Sequence, residues 1–251
     1  MHSSRFTAQE FAILWSAYGR DRLPYPLQFR TEISDVDELR RHREQAVERL
    51  LATYNPEIEA ALNTLLSPDA RVESKGYVGQ HDPRIIRFFG AIRGEAGAAL
   101  IQEPGPAENA GGDVILTVCG ADQVAQAAVA ALPAREPGRR APLEISRARI
   151  AEEDEHFEFR AGALTATEQL NLMFERPRSA YGEIAAFTGG AIDARPSASV
   201  RTFWWMDYPD GRYYVRTGDP IIAEPLDRDR MTAGIGTMLR RAQRLHADAS
   251  R

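Results

Sequence analysis

The alternation of apolar and polar residues over Ser199–Thr217 predicts a β-hairpin that is apolar on both faces. Ser199-Val-Arg-Thr-Phe-Trp-Trp-Met-Asp207 leads into Tyr208-Pro-Asp-Gly211 and then Arg212-Tyr-Tyr-Val-Arg-Thr217. Pro209 presets φ for a turn and Gly211 tolerates positive φ. Pairing Asp207 with Arg212 puts Thr202, Trp204, Met206, Tyr213, Val215 and Thr217 on one side, an ordinary core face. Arg201, Phe203, Trp205, Asp207, Arg212, Tyr214 and Arg216 fall on the other. Large aromatics mixed with arginine are the composition of a buried protein interface. Either the chain's own helices cover that second face or a partner does.

The same reasoning runs along the rest of the chain. Thr7 with Glu10 forms a capping box, Phe6 can staple to Phe11, and Phe11, Leu14, Trp15 and Tyr18 share one helix face up to Gly19. Pro24 and Pro26 force Leu23–Leu27 to be extended. Ser34 is expected to cap a second helix with Val36, Leu39, Ala46, Val47, Leu50 and Leu51 facing inward. Asn55 and Pro56 start a third, which stops at Ser67-Pro68. Four strands follow, at about 71–78, 84–93, 98–102 and 113–119, and then a helix from Asp122 to Leu132. In the 84–93 strand, Ile86, Phe88 and Ile92 share one face and Arg87, Phe89 and Arg93 the other, so the aromatic-with-arginine pattern recurs.

After a Pro-, Gly- and Arg-rich stretch at 134–143, which reads as a linker, the order repeats. An acidic run, Glu152–Glu155, reads as a solvated face, and Thr165-Ala-Thr-Glu168 opens a helix through Leu172 and Phe174. Strands are expected at 181–188, in the hairpin and at 220–224. A last helix starts at Asp227, with Leu226 and Met231 as its staple. Gly234 and Gly236 inside that helix suit the close approach of another helix. Strands followed by helices in both halves predict an α+β protein. The two halves, about 1–133 and 144–251, could pair edge to edge into one long, mostly antiparallel sheet.

Composition narrows the function. The chain has 251 residues with a net charge of −5, which argues against a general nucleic-acid binder. The five histidines, His2, His42, His81, His156 and His246, are scattered without metal-ligand spacing, and Cys119 is the single cysteine. The glycines form no phosphate loop. Glu183 and Asp207 are the one carboxylate pair worth a catalytic thought, yet on alternating strands such groups pair with arginine more often. No enzyme activity, cofactor or metal is therefore expected. With no apolar signal core and no stretch of membrane-spanning length, a cytoplasmic location is expected.

Glu10-Phe11-x-x-Leu14-Trp15 followed by Leu23-Pro-Tyr-Pro-Leu27 resembles the N-terminal signature of the EspG family of type VII (ESX) secretion-associated proteins. Trp205-x-Asp207…Gly211-Arg-Tyr213, then a strand, a turn at Pro225 and a terminal helix, resembles its C-terminal signature. The likeness runs from about Thr7 to Leu245. It implies a single domain over 1–251, with a central twisted antiparallel sheet in two quasi-equivalent halves flanked by N-terminal and C-terminal helical bundles. It also implies a cytosolic chaperone that binds the helical tip of the PPE subunit of a PE–PPE heterodimer, keeps it soluble and guides it to the secretion machinery. The implied partner surface involves the sheet and the C-terminal bundle. The family's tip-binding contacts are not a fixed motif, so no individual residue carries over; the aromatic-with-arginine strand faces make Arg201, Phe203, Trp205, Tyr214, Arg216 and Phe89 the candidate partner-binding residues. The short Gly79–Pro83 loop suggests weaker binding or a different choice of clients. Alternative readings are an adaptor of the same fold for another helical secreted pair, and a small-ligand binder or enzyme using the sheet face. Neither nucleic acid nor direct membrane insertion is expected, and homodimerisation of the free chain stays open.

Overall fold

The computed structural model describes residues 2–155, 164–191 and 198–249. Among them the strands are β1 (His2–Phe6), β2 (Ala70–Val78), β3 (Arg84–Arg93), β4 (Ala96–Gln102), β5 (Val114–Gly120), β6 (Leu143–Ile145), β7 (Ala180–Thr188), β8 (Arg201–Tyr208), β9 (Gly211–Arg216) and β10 (Ile221–Pro225). They form one sheet in the order β1-β5-β4-β3-β2-β7-β8-β9-β10-β6. Every neighbouring pair is antiparallel. Exchanging β1–β5 for β6–β10 maps this order onto its own reverse, so a quasi-two-fold axis lies between β2 and β7. The helices are α1 (Ala8–Ala17), α2 (Val36–Thr53), α3 (Pro56–Leu66), α4 (Val124–Ala130), α5 (Arg147–Glu155), α6 (Ala166–Phe174) and α7 (Arg228–Ala249). The architecture is α+β with one shared sheet, as the strand and helix order implies.

Helices cover the two faces of the sheet differently. On one face, α4 and α7 lie over the centre, enclosing Val72, Phe88, Ile184, Phe203 and Trp205 with Met231, Ile235, Met238 and Leu239. On the other face the helices sit at the flanks. There α1 and α3 bury Phe11, Trp15, Ile58 and Leu62 against Phe89, Leu100 and Leu116, while α6 brings Met173 to Met206, Tyr213 and Val215. The centre of this second face, β2 and β7, lies between these two flanking cores.

Local signals are realised closely. Glu10 N donates to Thr7 Oγ1 (3.2 Å) and Thr7 N to Glu10 Oε2 (2.8 Å), and the Phe6 and Phe11 rings are 6.1 Å apart. The Thr165–Glu168 box caps α6 in the same way. Several expectations differ. Leu23–Leu27 is a turn, with Leu27 N donating to Pro24 O at 2.9 Å, and not an extended run. Asp35 caps α2 in place of Ser34. Only Ala46 and Leu50 of α2 are buried, and Val36, Val47 and Leu51 are exposed, because α2 rests on α1 and contributes no second buried face. The edge strands β1 and β6 lie outside the expected set. Glu152 and Glu153 fall within α5, and His156 lies outside the described residues.

The 134–143 stretch is not a free linker. Arg212 N donates to Glu136 O (2.8 Å), Gly138 N to Arg212 O (2.8 Å) and Arg135 Nη2 to Tyr208 O (2.5 Å), which straps it along the hairpin. Gly138 packs against the Tyr213 ring, where an added Cβ would come within 2.0 Å of Cζ.

Candidate functional site

The candidate site is the part of the sheet between the flanking helices. Antiparallel register brings β2 and β7 side chains together in matched rows on this face: Arg71 with Phe187, Glu73 with Ala185, Lys75 with Glu183, and Tyr77 with Tyr181. β8 continues it with Thr202 beside Ala185 and Trp204 beside Glu183. The alternation that hides Val72, Ser74 and Ile184 under α7 is what turns these residues the other way. A cavity of about 200 Å³ opens here, lined by Tyr25, Glu73, Lys75, Glu183, Ala185, Phe187, Ser199 and Thr202.

Aromatic rings and cations alternate across this surface. The Arg71 guanidinium lies 4.4 Å from the Phe187 ring centroid, and Arg178 lies 5.4 Å from that of Tyr181. Tyr77 and Tyr181 stack at 5.3 Å. Arg71 is held rigidly: Nε donates to Glu73 Oε1 (2.7 Å) and Nη1 to Gly189 O (2.8 Å). Burial pushes the Glu73 carboxyl above its ordinary range despite Arg71 beside it. Burial raises Glu183 likewise, and among the described residues Glu183 has no hydrogen-bond or ion-pair partner. Among the described residues, this row does not combine a nucleophile, a base and an oxyanion donor. Glu183 and Asp207 do not converge. Glu183 is on the open face, and Asp207 is on the α7 face, in a buried ion pair with Arg212. Cys119 is the penultimate residue of β5, with its thiol pushed up by burial, the setting of an unreactive sulfur.

The six residues expected at a partner surface are divided by burial and by face. Alternation sorted the hairpin correctly, and Asp207 does pair with Arg212, but the face taken for an interface is the one that α7 covers. Trp205 is 0% exposed and Phe203 is buried with it. Phe89 is buried in the N-terminal core on the opposite side of the sheet. Arg201 is exposed, and Tyr214 and Arg216 are partly so. Arg201, Phe203 and Tyr214 line a groove of about 430 Å³ between the sheet and α7, together with Ile222, Glu224, Arg230, Gly234 and Met238. Gly236 approaches Ala125 of α4, whereas Gly234 meets nothing within 4 Å and leaves this groove open. The open-face residues Tyr25, Lys75, Phe187 and Trp204 lie outside the expected partner-binding set. Their signal is a charged residue at alternate positions of otherwise buried strands, Glu73 and Lys75 in β2 and Glu183 in β7.

The sequence profile of the EspG family matches residues 7–237. Among solved structures, the fold is similar to that of the Mycobacterium tuberculosis type VII secretion system chaperone EspG5 in complex with the PE25–PPE41 dimer. The TM-score is 0.58 at 15% identity, over 95% of this chain and 96% of that one. No curated protein matches the chain by sequence.

Proposed function

Since this chain belongs to the EspG family, we propose that it is a chaperone of a type VII secretion system that holds a PE–PPE heterodimer by the tip of its PPE subunit. The similar EspG5 structure, a complex with such a dimer, supports this reading over nearly the whole chain. The observation that carries the choice of surface is the aromatic and cationic centre of the sheet at β2, β7 and β8, which opens between the flanking helical cores. An apolar helical tip left in water aggregates. Laid against Phe187, Tyr181 and Trp204, it would be shielded, while Lys75 and Arg178 meet its polar rim. The chaperone would thereby keep the pair soluble before export, in the cytoplasm, and present it to the secretion machinery. No helix of the described residues is long and apolar enough to cross a membrane.

Co-expression with a PE–PPE pair tests the proposal. The pair should co-purify with the chain, and Tyr25→Ala with Phe187→Ala should weaken capture about ten-fold or more with little change in melting temperature. Undiminished capture by that variant would rule out the open face. Purification from the native host that yields another helical pair in place of PE–PPE would support the adaptor reading. A second reading seats the client in the groove beside α7, favoured by the open space at Gly234. In that case Arg201→Ala and Tyr214→Ala, with the neighbouring Arg216→Ala, would weaken capture while the Tyr25 and Phe187 substitutions would not.

A further inference from the structure

Arg87, in the middle of β3, is 0% exposed. Two of its three guanidinium nitrogens, Nε and Nη1, have no hydrogen-bond partner among the described residues. The third, Nη2, donates to the backbone carbonyl of Glu108 at 2.5 Å. A buried guanidinium with unmet donors is strongly unfavourable, and apolar residues of similar volume usually replace it at no loss. Its in-register neighbours on the same face are Lys75 of β2 and Gln102 of β4. Gln102 donates its amide hydrogens to Gln28 O and Gly112 O and its oxygen accepts from Gln28 N, so it is committed elsewhere. Two cations therefore lie side by side in the sheet.

One acidic residue answers both. Glu108 sits in the 103–113 connection between β4 and β5, and its side chain is 64% exposed. Its Oε1 accepts from Lys75 Nζ (2.8 Å) and from Tyr77 Oη (3.0 Å), while its carbonyl covers Arg87. Glu108 is thus a surface carboxylate held over a buried cationic floor. It offers no carboxylate oxygen to the two unmet nitrogens of Arg87. Lys75 also lines the cavity on the open face, so the cluster is continuous with that surface.

We propose that Arg87, Lys75 and Tyr77 form a carboxylate-binding site, occupied by Glu108 in the free protein and taken over by an acidic side chain of the bound client. An incoming carboxylate that displaces the loop carbonyl can place two oxygens against Nε and Nη2 of the guanidinium, as Asp207 does with Arg212, which a single carbonyl does not. The internal carboxylate competes with it, so a tip without an acidic group has no means of displacing Glu108. The identity of the protein that brings the carboxylate rests on the proposed function; the site itself does not.

Two probes test this on the full chain. In titrations with sodium acetate at constant ionic strength, Glu108→Gln should bind about ten-fold more tightly than the unmodified protein, because the competing internal charge is gone. Arg87→Met or Tyr77→Phe added to Glu108→Gln should weaken or abolish that binding. In capture of a co-expressed PE–PPE pair, Glu108→Gln should tighten the complex and Arg87→Met should loosen it about ten-fold. Arg87→Met should also raise the melting temperature, as loss of an uncompensated charge requires. Equal acetate affinity with and without Glu108, or a lower melting temperature for Arg87→Met, overturns the site. Acetate binding as expected with no captured pair leaves the site standing and defeats the chaperone reading. A pair captured equally by all variants does the reverse.

Discussion

Asp207 and Arg212 share two parallel hydrogen bonds across the β8–β9 hairpin, Nε to Oδ1 at 2.7 Å and Nη2 to Oδ2 at 2.8 Å. Both residues are buried. Nη2 also donates to Pro133 O at 2.8 Å, and the guanidinium lies 5.0 Å from the Trp205 ring centroid. One arginine therefore joins the hairpin of the second half to the chain leaving α4 in the first.

Removing one member of this pair should be far worse than its exposed counterparts suggest. Asp207→Ala leaves a buried guanidinium without its counter-charge, for an expected loss of about 3–5 kcal/mol. Exposed pairs such as Arg40–Asp37 should cost less than about 1 kcal/mol when broken. Urea unfolding of Asp207→Ala and Asp37→Ala checks both, and similar losses would contradict the assignment.

The adjacent tryptophans should separate stability from recognition. Trp205→Ala empties the core beneath α7 and should cost about 3–5 kcal/mol. Trp204→Ala, on the open face and only partly buried, should cost about 1–2 kcal/mol and impair client capture. Gly76 and Gly182 face each other across the central seam, and a Cβ on Gly76 would come within 2.5 Å of the Trp205 ring. Gly76→Ala should therefore destabilise by about 1–3 kcal/mol through that ring. Thermal melts paired with capture assays distinguish the three variants.

Glu183 sets a pH dependence of definite sign. Its folded-state carboxyl is raised above the ordinary 4.5, so the native protein binds that proton more tightly than the unfolded chain does. Its contribution to stability falls as the pH climbs from about 4.5 through the raised value, and the full penalty is present above it. Glu183→Gln should be more stable than the unmodified protein at about pH 7, and the gain should vanish below about pH 4. Glu73 titrates in the same direction in both proteins, so the difference isolates Glu183. A gain that persists in acid would point to packing instead of ionisation.

Caps and register were legible because they depend on residues close together in the chain. Thr7 with Glu10, Asn55 with Pro56, and Asp207 opposite Arg212 all carry their own geometry. The edge strands were not. Ser3-Ser4-Arg5 has no apolar alternation, and Leu143–Ile145 is three residues long, so each is a strand only because β5 or β10 offers it a ladder. Nor was the covered face of the hairpin. Alternation divides Trp204 from Trp205, but what lies over each is set by α7 docking on β2 and β7 from the far end of the chain. The open site was missed for the same reason, since an uncovered sheet face is defined by where helices fail to reach.

The central seam also dictates when the protein becomes safe to release. β2 (Ala70–Val78) is complete long before β7 (Ala180–Thr188) is synthesised. At ribosomal rates the growing chain carries an unpaired nine-residue ladder for roughly 5–20 s. During that time β2 is a sheet edge rich in unmet N–H and C=O groups, the kind that recruits another strand. A polypeptide that stops between the halves keeps that edge permanently. Two such fragments can satisfy it with each other, because the quasi-two-fold makes β2 a near-substitute for β7. Premature termination should therefore yield cross-paired half-molecules in place of soluble N-terminal domains.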